Sequence, residues 1–192
     1  MPAHTAESHR LLGFNRDVLE QMLALVALHE APGARAYAGP MGARLRHLIE
    51  HFEALVFPAE PGVVDYDSRP RDAELERSPA LAHTRVLALS QALARWPARR
   101  LGVPVRVHGL GGLAGEFRFA VASSIGRELA FVASHAVHHF AVLKAHCQQH
   151  GIAVPAEFGK APATVAHERA GRRAPVFPST EDPPCPAPTL AA

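Results

Sequence analysis

The segment that most constrains the fold of this chain is SIGRELAFVASHAVHHFAVLKAHCQQH, residues 124–150. It contains no proline, and its apolar residues recur every three or four positions, which is typical of one face of an α-helix. Those residues are Ile125, Leu129, Val132, Ala136 and Leu143. Ser123 or Ser124 can cap the start of this helix, and Gly151 suits its end. A long helix with one apolar face needs further helices to bury that face, so the segment predicts a helical domain.

Histidines lie beside the apolar face of this helix. His135 and His139 are about 40° apart around the helix axis, and Glu128 and His146 lie within about 20° of His135. Imidazoles four residues apart on a helix can converge on one metal ion, as they do in helical zinc motifs. The alternative is that they are hydrogen-bonded histidines of an ordinary core. His138 points to the other side, towards solvent or a neighbouring subunit, which leaves a homodimer open.

A third metal ligand has to come from another element, because one helix cannot surround an ion. The segment RHLIEHF in the second predicted helix offers His47 and His51, which are also four residues apart. The angular positions slightly favour His51, since it lies nearer the apolar stripe of that helix, whereas His47 lies at its margin. The residues alone therefore leave both histidines open as the third ligand.

The same segment, from His47 to His51, also matches H-x-x-E-H, in which two histidines bind zinc and the glutamate is the general base of a peptidase. A pattern with three fixed positions is easily matched by chance in a chain with 13 histidines. Glu50 is predicted to face solvent, away from the His51 side of the helix, and no downstream acidic ligand can be assigned. A zinc peptidase is therefore the less favoured function.

Apolar residues at helical spacing, ended by proline or glycine, predict three further helices at residues 11–30, 40–57 and 79–96. The polar stretch at residues 58–78 is predicted to be a long loop. Residues 103–121 alternate apolar and polar side chains around a glycine cluster, which predicts a β-hairpin. The predicted fold is therefore mainly all-α: a four-helix bundle with a small β-hairpin between the third and fourth helices.

The chain after the fourth predicted helix carries weaker signals. Residues 151–169 show little periodicity and are predicted to pack along the bundle as an ordered strap. From Gly171 onward the sequence is rich in proline and poor in large hydrophobic residues, which predicts a disordered C-terminal tail. The predicted organisation is one helical domain with its strap over residues 1–170, followed by a tail over residues 171–192.

Composition narrows the classes of partner. A net charge of +2 with scattered arginines is not typical of a nucleic-acid-binding protein. No apolar run is long enough to span a bilayer, and the start of the chain lacks a signal-peptide pattern. Two cysteines make no disulfide framework, which favours a cytoplasmic location. Composition therefore predicts neither nucleic acid nor a membrane as a partner, and it leaves a small-molecule substrate open.

The stretches RLRHLIEHFEAL and RELAFVASHAVHHFAVLKAHC resemble the second and last helices of the DinB-like (YfiT-like) metal-binding superfamily of four-helix bundles. The resemblance covers residues 10–150. It implies that His47 is the metal ligand from the second helix, and that His135 and His139 are the pair from the last helix. It also implies a divalent transition ion, zinc or nickel, held by three neutral imidazoles with open positions for water.

Some members of that superfamily are thiol-dependent transferases or isomerases that act on small-molecule thiols. The resemblance thus implies a metal-dependent transferase or hydrolase, and the alternative is a non-catalytic metal-binding or stress-response protein. Glu128 and His51 are the candidate catalytic residues, with Glu128 expected beside the metal ligands and not among them. The loop DYDSRPRD offers Tyr66 and Arg69 for substrate binding, unless turn and ion-pair chemistry alone explains these residues.

Overall fold

The structure is a computed structural model, and it describes residues 2–30, 37 and 39–173. The chain up to residue 161 forms one compact unit. Its elements follow in this order: α1 (Pro2–Ala27), α2 (Pro40–Val56), β1 (Val63–Asp65), α3 (Pro79–Ala94), a 3₁₀ helix (Ala98–Gly102), β2 (Pro104–Gly111), β3 (Phe117–Ser124) and α4 (Ile125–Gln149).

Local chemistry explains where the helices of this unit begin. Pro40 and Pro79 open α2 and α3, at positions where the missing N–H group has no helical partner to lose. The side chains of Ser78 and Ser124 each accept a backbone N–H bond of 3.2 Å from the first turns of α3 and α4. These three helices lie where the sequence predicts them, whereas α1 begins at Pro2 and not at residue 11.

The helices bury a common apolar core. Both α1 and α2 pack against α3 and against α4. Large side chains from all four helices are fully buried there, among them Leu19, Met22, Leu48, Phe52, Leu89, Leu129 and Phe140. Close packing of such side chains holds α2 and α4 in a fixed register, so histidines on the two helices keep a fixed separation.

Three strands form a mixed sheet beside the helices. β2 lies in the middle, with β1 parallel to it and β3 antiparallel. In the β2–β3 pair, Phe119 lies opposite Gly109 and Phe117 lies opposite Gly111. Each phenylalanine ring occupies the space that a Cβ atom would need at the facing glycine. The glycines of β2 are therefore explained by close ring packing and not by phosphate binding.

The predicted fold, a mainly α four-helix bundle with a small β-hairpin, is wrong. The described part of the chain contains five α-helices and a three-stranded mixed sheet, which is more than a hairpin. The extra strand, β1, lies in the predicted loop of residues 58–78. A strand of three residues is too short to show alternation, and its parallel partner lies beyond α3, so no local signal marks it.

A second compact unit begins at Pro162, and its described part is α5 (Pro162–Arg173). The sequence predicts a strap without helical periodicity over residues 162–169, whereas these residues form a helix that opens at a proline. This helix also continues past residue 170, where the predicted tail begins, and residues 174–192 of that tail lie outside the described residues. Among the helices that are described, none is both long enough and apolar enough to cross a membrane.

Candidate metal centre

Three histidines from α2 and α4 converge at the contact between these helices. His47 lies on α2, and His135 and His139 lie one turn apart on α4. The Nε2 atoms of His47 and His135 are 2.9 Å apart. Across the three residues, one ring nitrogen each lies within 4.8 Å of the others, and all three side chains are half-buried. We call this set the histidine trio, and it is the set that the resemblance to the DinB-like superfamily implies as metal ligands.

His51 lies beside the histidine trio and outside it. Its Nδ1 donates a 2.7 Å hydrogen bond to the backbone carbonyl of His47, and its ring stacks on Tyr66 with centroids 5.4 Å apart. The side chain is buried, as its position near the apolar stripe of α2 indicates. On α2, His51 is the buried histidine and His47 is the one that belongs to the trio. The angular position, which indicates burial, therefore does not identify the member of the trio.

The electrostatic surroundings favour neutral imidazoles in the histidine trio. Burial, together with the neighbouring charges of His51 and Arg69, lowers the pKa of His47 to about 3. Burial and then His135 and His138 lower the pKa of His139 to about 4. The pKa of His135 is also lowered, mainly by burial. Rings that stay neutral at pH 7 keep one nitrogen lone pair each, and this is the form that binds metal ions.

One buried nitrogen in the trio lacks a protein partner. Nδ1 of His139 is buried and has no hydrogen bond to any residue in the described part of the chain. Unsatisfied buried polar atoms are rare in folded proteins, so this nitrogen has a lone pair or an N–H group left for a partner outside the described residues. A donor set of three imidazole nitrogens suits zinc and nickel better than magnesium or calcium, which prefer oxygen. The residues present therefore fit a divalent transition ion.

Arg69 contacts Nδ1 of His47 and also pairs with Glu50. Arg69 Nη1 lies 3.2 Å from His47 Nδ1 and 3.4 Å from Glu50 Oε2, and Arg69 Nε donates to the backbone carbonyl of Tyr66. The other oxygen of Glu50 accepts a 2.8 Å bond from the backbone N–H of Asp72. Glu50 is 1% exposed, so the prediction that it faces solvent is wrong. Residues 66–72 fold over this face of α2, and helix periodicity cannot reveal such a tertiary contact.

This arrangement does not favour an H-x-x-E-H peptidase. That mechanism needs both histidines of the motif on one ion and a glutamate free to activate water. Here His51 lies outside the histidine trio, and both oxygens of Glu50 are engaged by Arg69 and Asp72.

Glu128 is a buried carboxylate close to, and separate from, the histidine trio. It is fully buried, and it accepts hydrogen bonds from Tyr66 Oη at 2.8 Å, Ser123 Oγ at 2.5 Å and Arg127 Nη1 at 2.9 Å. Three donors therefore satisfy this buried carboxylate. Burial, and then the negative charge of Glu128, raises the pKa of Tyr66, which keeps the phenol protonated and able to donate.

A cavity of about 340 Å³ opens beside these groups. Tyr66, Ser123, Glu128 and Phe131 are among its lining residues. Phe131 also stacks on His135, with ring centroids 5.6 Å apart and an angle of 18° between the rings, so the lining of the cavity contacts the trio directly. The two predicted substrate-binding residues do not share a cavity. Tyr66 lines this cavity, whereas Arg69 lines a different cavity together with Glu50.

Sequence reasoning missed three residues near the site. It treats Glu50 only as a peptidase base, although this residue lies three positions after His47 and shares its side of α2. Asp72 carries no signal, because it contributes through a tertiary contact to Glu50. Ser123 is considered only as a helix cap, although its hydroxyl bonds to Glu128 five residues later.

Comparison with known proteins gives little further information. No protein-family model matches the chain, and no solved structure matches it. A segment of 105 residues is 31% identical to a protein named FK506-binding protein 5 from the fungus Rhizopus delemar. That segment covers 55% of this chain and 27% of the fungal protein. The chain thus spans about a quarter of the length of this relative, and the match does not establish a family.

Proposed function

We propose that this protein binds one divalent transition ion, zinc or nickel, through the histidine trio and keeps further coordination positions for water and a small-molecule ligand. The observation that carries the proposal is the convergence of three ring nitrogens to within 4.8 Å of one another. Three protein ligands with an open position are typical of catalytic zinc sites, whereas structural sites are usually closed by four. A bound ion would supply Lewis acidity and lower the pKa of a bound water.

The residues around the trio support a site with an exchangeable ligand. The three imidazoles are half-buried, so the ion would not be sealed in the core. The cavity beside Phe131 and Glu128 has about 340 Å³, which lies within the range of small-molecule pockets. Tyr66 presents a protonated hydroxyl there, held by Glu128, and Phe131 orients the ring of His135 by stacking.

Two classes of function are compatible with such a site. The first is a metal-dependent transferase or hydrolase acting on a small molecule, and the half-buried trio with its adjoining cavity favours this class. The second is a non-catalytic metal-binding or stress-response protein. The resemblance of the two histidine helices to the DinB-like superfamily supports the metal and not any particular substrate. The FK506 in the name of the fungal relative gives no substrate either, because the match covers 27% of that protein.

Elemental analysis of protein purified without a histidine tag tests the proposal. We expect about one transition ion per chain after incubation with Zn²⁺ or Ni²⁺ and removal of loosely bound ions by a weak chelator. A protein that stays free of metal after incubation with Zn²⁺, Ni²⁺ and Mn²⁺ would contradict the proposed function.

The sequence supports a cytoplasmic location and leaves the oligomeric state open. Two cysteines in 192 residues favour the cytoplasm as the compartment. The ring of His138, which is exposed on α4, leaves a homodimer open, and size-exclusion chromatography with light scattering would test it.

A further inference from the structure

The hydrogen bond from Arg69 determines which nitrogen of His47 carries the hydrogen. A guanidinium group has donors only, so the contact of 3.2 Å between Arg69 Nη1 and His47 Nδ1 requires a lone pair on Nδ1. In a neutral ring the hydrogen then lies on Nε2. That atom is 2.9 Å from Nε2 of His135, to which it donates. In this structure a chain of hydrogen bonds therefore runs from Arg69 through His47 to His135.

This tautomer is incompatible with an ion bound at Nε2 of His47. The ion needs the Nε2 lone pair, so the ring hydrogen has to move to Nδ1, where it would face an N–H group of Arg69. Two donors cannot bond to each other. Histidines that bind metals usually donate the N–H of their other ring nitrogen to a carboxylate or a carbonyl oxygen. In this structure the group that faces Nδ1 of His47 is a donor, the guanidinium of Arg69.

A suitable acceptor contacts the same nitrogen of Arg69. Glu50 follows His47 by three residues on α2, its side chain is buried, and its Oε2 lies 3.4 Å from Arg69 Nη1. Its Oε1 is held by the backbone N–H of Asp72 at 2.8 Å, which fixes the carboxylate in this position. Arg69 Nη1 thus contacts both the nitrogen that must donate and the oxygen that can accept.

We infer that metal binding exchanges the partner of His47: Arg69 Nη1 leaves Nδ1, and the carboxylate of Glu50 accepts the new Nδ1 hydrogen. The inference rests on the proposed function, because it concerns the trio with its ion bound. Nε2 gives its proton to solvent and Nδ1 takes one from solvent, so the imidazole remains neutral. Glu50 also provides a buried negative charge near the ion, which three imidazoles do not supply. Glu50 and Arg69 are thus positioning residues, which act on the ion through His47.

Nitrogen NMR of protein labelled with ¹⁵N-histidine tests the exchange directly, since ring nitrogens with and without hydrogen resonate far apart. The His47 signals are identified by their loss in His47→Gln. We expect a bare Nδ1 in the metal-free wild type and a protonated Nδ1 after addition of Zn²⁺. A protonated Nδ1 in the metal-free protein, or no change in tautomer on zinc binding, would overturn the inference alone. Absence of binding with Zn²⁺, Ni²⁺ and Mn²⁺ alike would overturn the proposed function, and the inference with it.

A double-mutant cycle on zinc affinity separates this exchange from simple charge repulsion between Arg69 and the ion. Arg69→Met should raise the affinity about tenfold, since the competing hydrogen bond no longer has to break. Glu50→Gln should lower it about 10–100-fold, as loss of a partner to a metal-bound histidine does. In the Glu50→Gln background, Arg69→Met should bring little gain, because the single oxygen of a glutamine is held by the backbone N–H of Asp72 and its NH₂ group, a donor, takes the place of Oε2.

A gain from Arg69→Met that is equally large in the Glu50→Gln background would show that Arg69 acts by charge alone, against the inference. Arg77→Met is the matched control, because it removes an exposed arginine paired with Glu74 on the surface, and it should leave the affinity unchanged. The wild-type NMR comparison needs no substitution at Arg69 or Glu50, so it decides the question even where a variant fails to fold.

Discussion

The two sides of the candidate metal centre are built in different ways. On one side, α2 and α4 supply the histidine trio from long helices whose buried faces lock them together. On the other side, the α2–α3 connection (residues 57–78) supplies Tyr66, Arg69 and Asp72 from a stretch with only one short strand. Tertiary contacts hold this connection, among them the pairing of β1 with β2 and the bonds of Arg85 to Glu53 and Asp72. The helices thus set the positions of the histidine trio, and the connection sets what surrounds the trio.

The sharpest test of the helical side is removal of a trio member. His47→Ala and His139→Ala should each lower zinc affinity more than about 100-fold, beyond the loss expected when only a partner of a ligand is removed. Competition with a coloured chelator measures the affinity. His138→Ala is the control, because His138 is exposed on α4 and touches the trio only edge-on, with its ring centroid 5.5 Å from that of His139. Equal losses of zinc affinity in all three variants would show that the histidine trio is not the set of residues that binds the ion.

The second test breaks the α2–α3 connection and leaves the helices intact. Arg85 Nε donates to Glu53 Oε1 at 2.7 Å and Arg85 Nη1 to Asp72 Oδ2 at 2.9 Å, which ties α3 to α2 and to the connection. Because these groups are partly exposed, Arg85→Met should lower the free energy of unfolding by about 1–2 kcal/mol, measured by urea denaturation.

The stoichiometry of zinc binding should not change in Arg85→Met, since α2 and α4 still hold the histidine trio. Arg77→Met serves as control, because its ion pair with Glu74 is exposed and worth less than about 1 kcal/mol. Loss of zinc binding in Arg85→Met would show that the helices do not hold the histidine trio in place without the α2–α3 connection.

The third test concerns Glu128, where the two sides meet. Glu128 lies on α4. It accepts one hydrogen bond from the hydroxyl of Tyr66, in the connection, and another from the hydroxyl of Ser123, in β3. A glutamine offers one acceptor oxygen in place of two, so Glu128→Gln should cost about 1–3 kcal/mol in stability. Zinc affinity should stay within about tenfold of the wild type, below the usual effect of a direct ligand partner. Thermal unfolding and chelator competition, run on the same samples, measure the two effects. A loss of zinc affinity of more than about 100-fold would make Glu128 a ligand.

The same division explains how much the sequence reveals. The positions of α2, α3 and α4 follow from their prolines and serine caps, and the spacing of His135 and His139 follows from helix geometry. The choice of His47 came from the resemblance, and the angular argument preferred His51. Glu50 was misplaced into solvent because its burial depends on Asp72 and Arg69, which come from a different element. The strand β1 was missed because its partner is distant in sequence, and with it the mixed sheet.

The smallest expected effect lies within α2 itself. His51 is buried and adjoins the histidine trio, with its ring centroid 4.1 Å from that of His47, so proximity alone would make it a ligand. Its Nδ1, however, is occupied by the carbonyl of His47, and its ring stacks on Tyr66. His51→Gln keeps a polar side chain of similar reach and should therefore change zinc affinity by less than about tenfold, the lower limit for partners of metal ligands. Isothermal titration of zinc into His51→Gln and His47→Gln gives the comparison on matched substitutions. If His51→Gln abolishes binding and His47→Gln does not, the angular argument from the sequence identifies the ligand, and the convergence of the histidine trio does not.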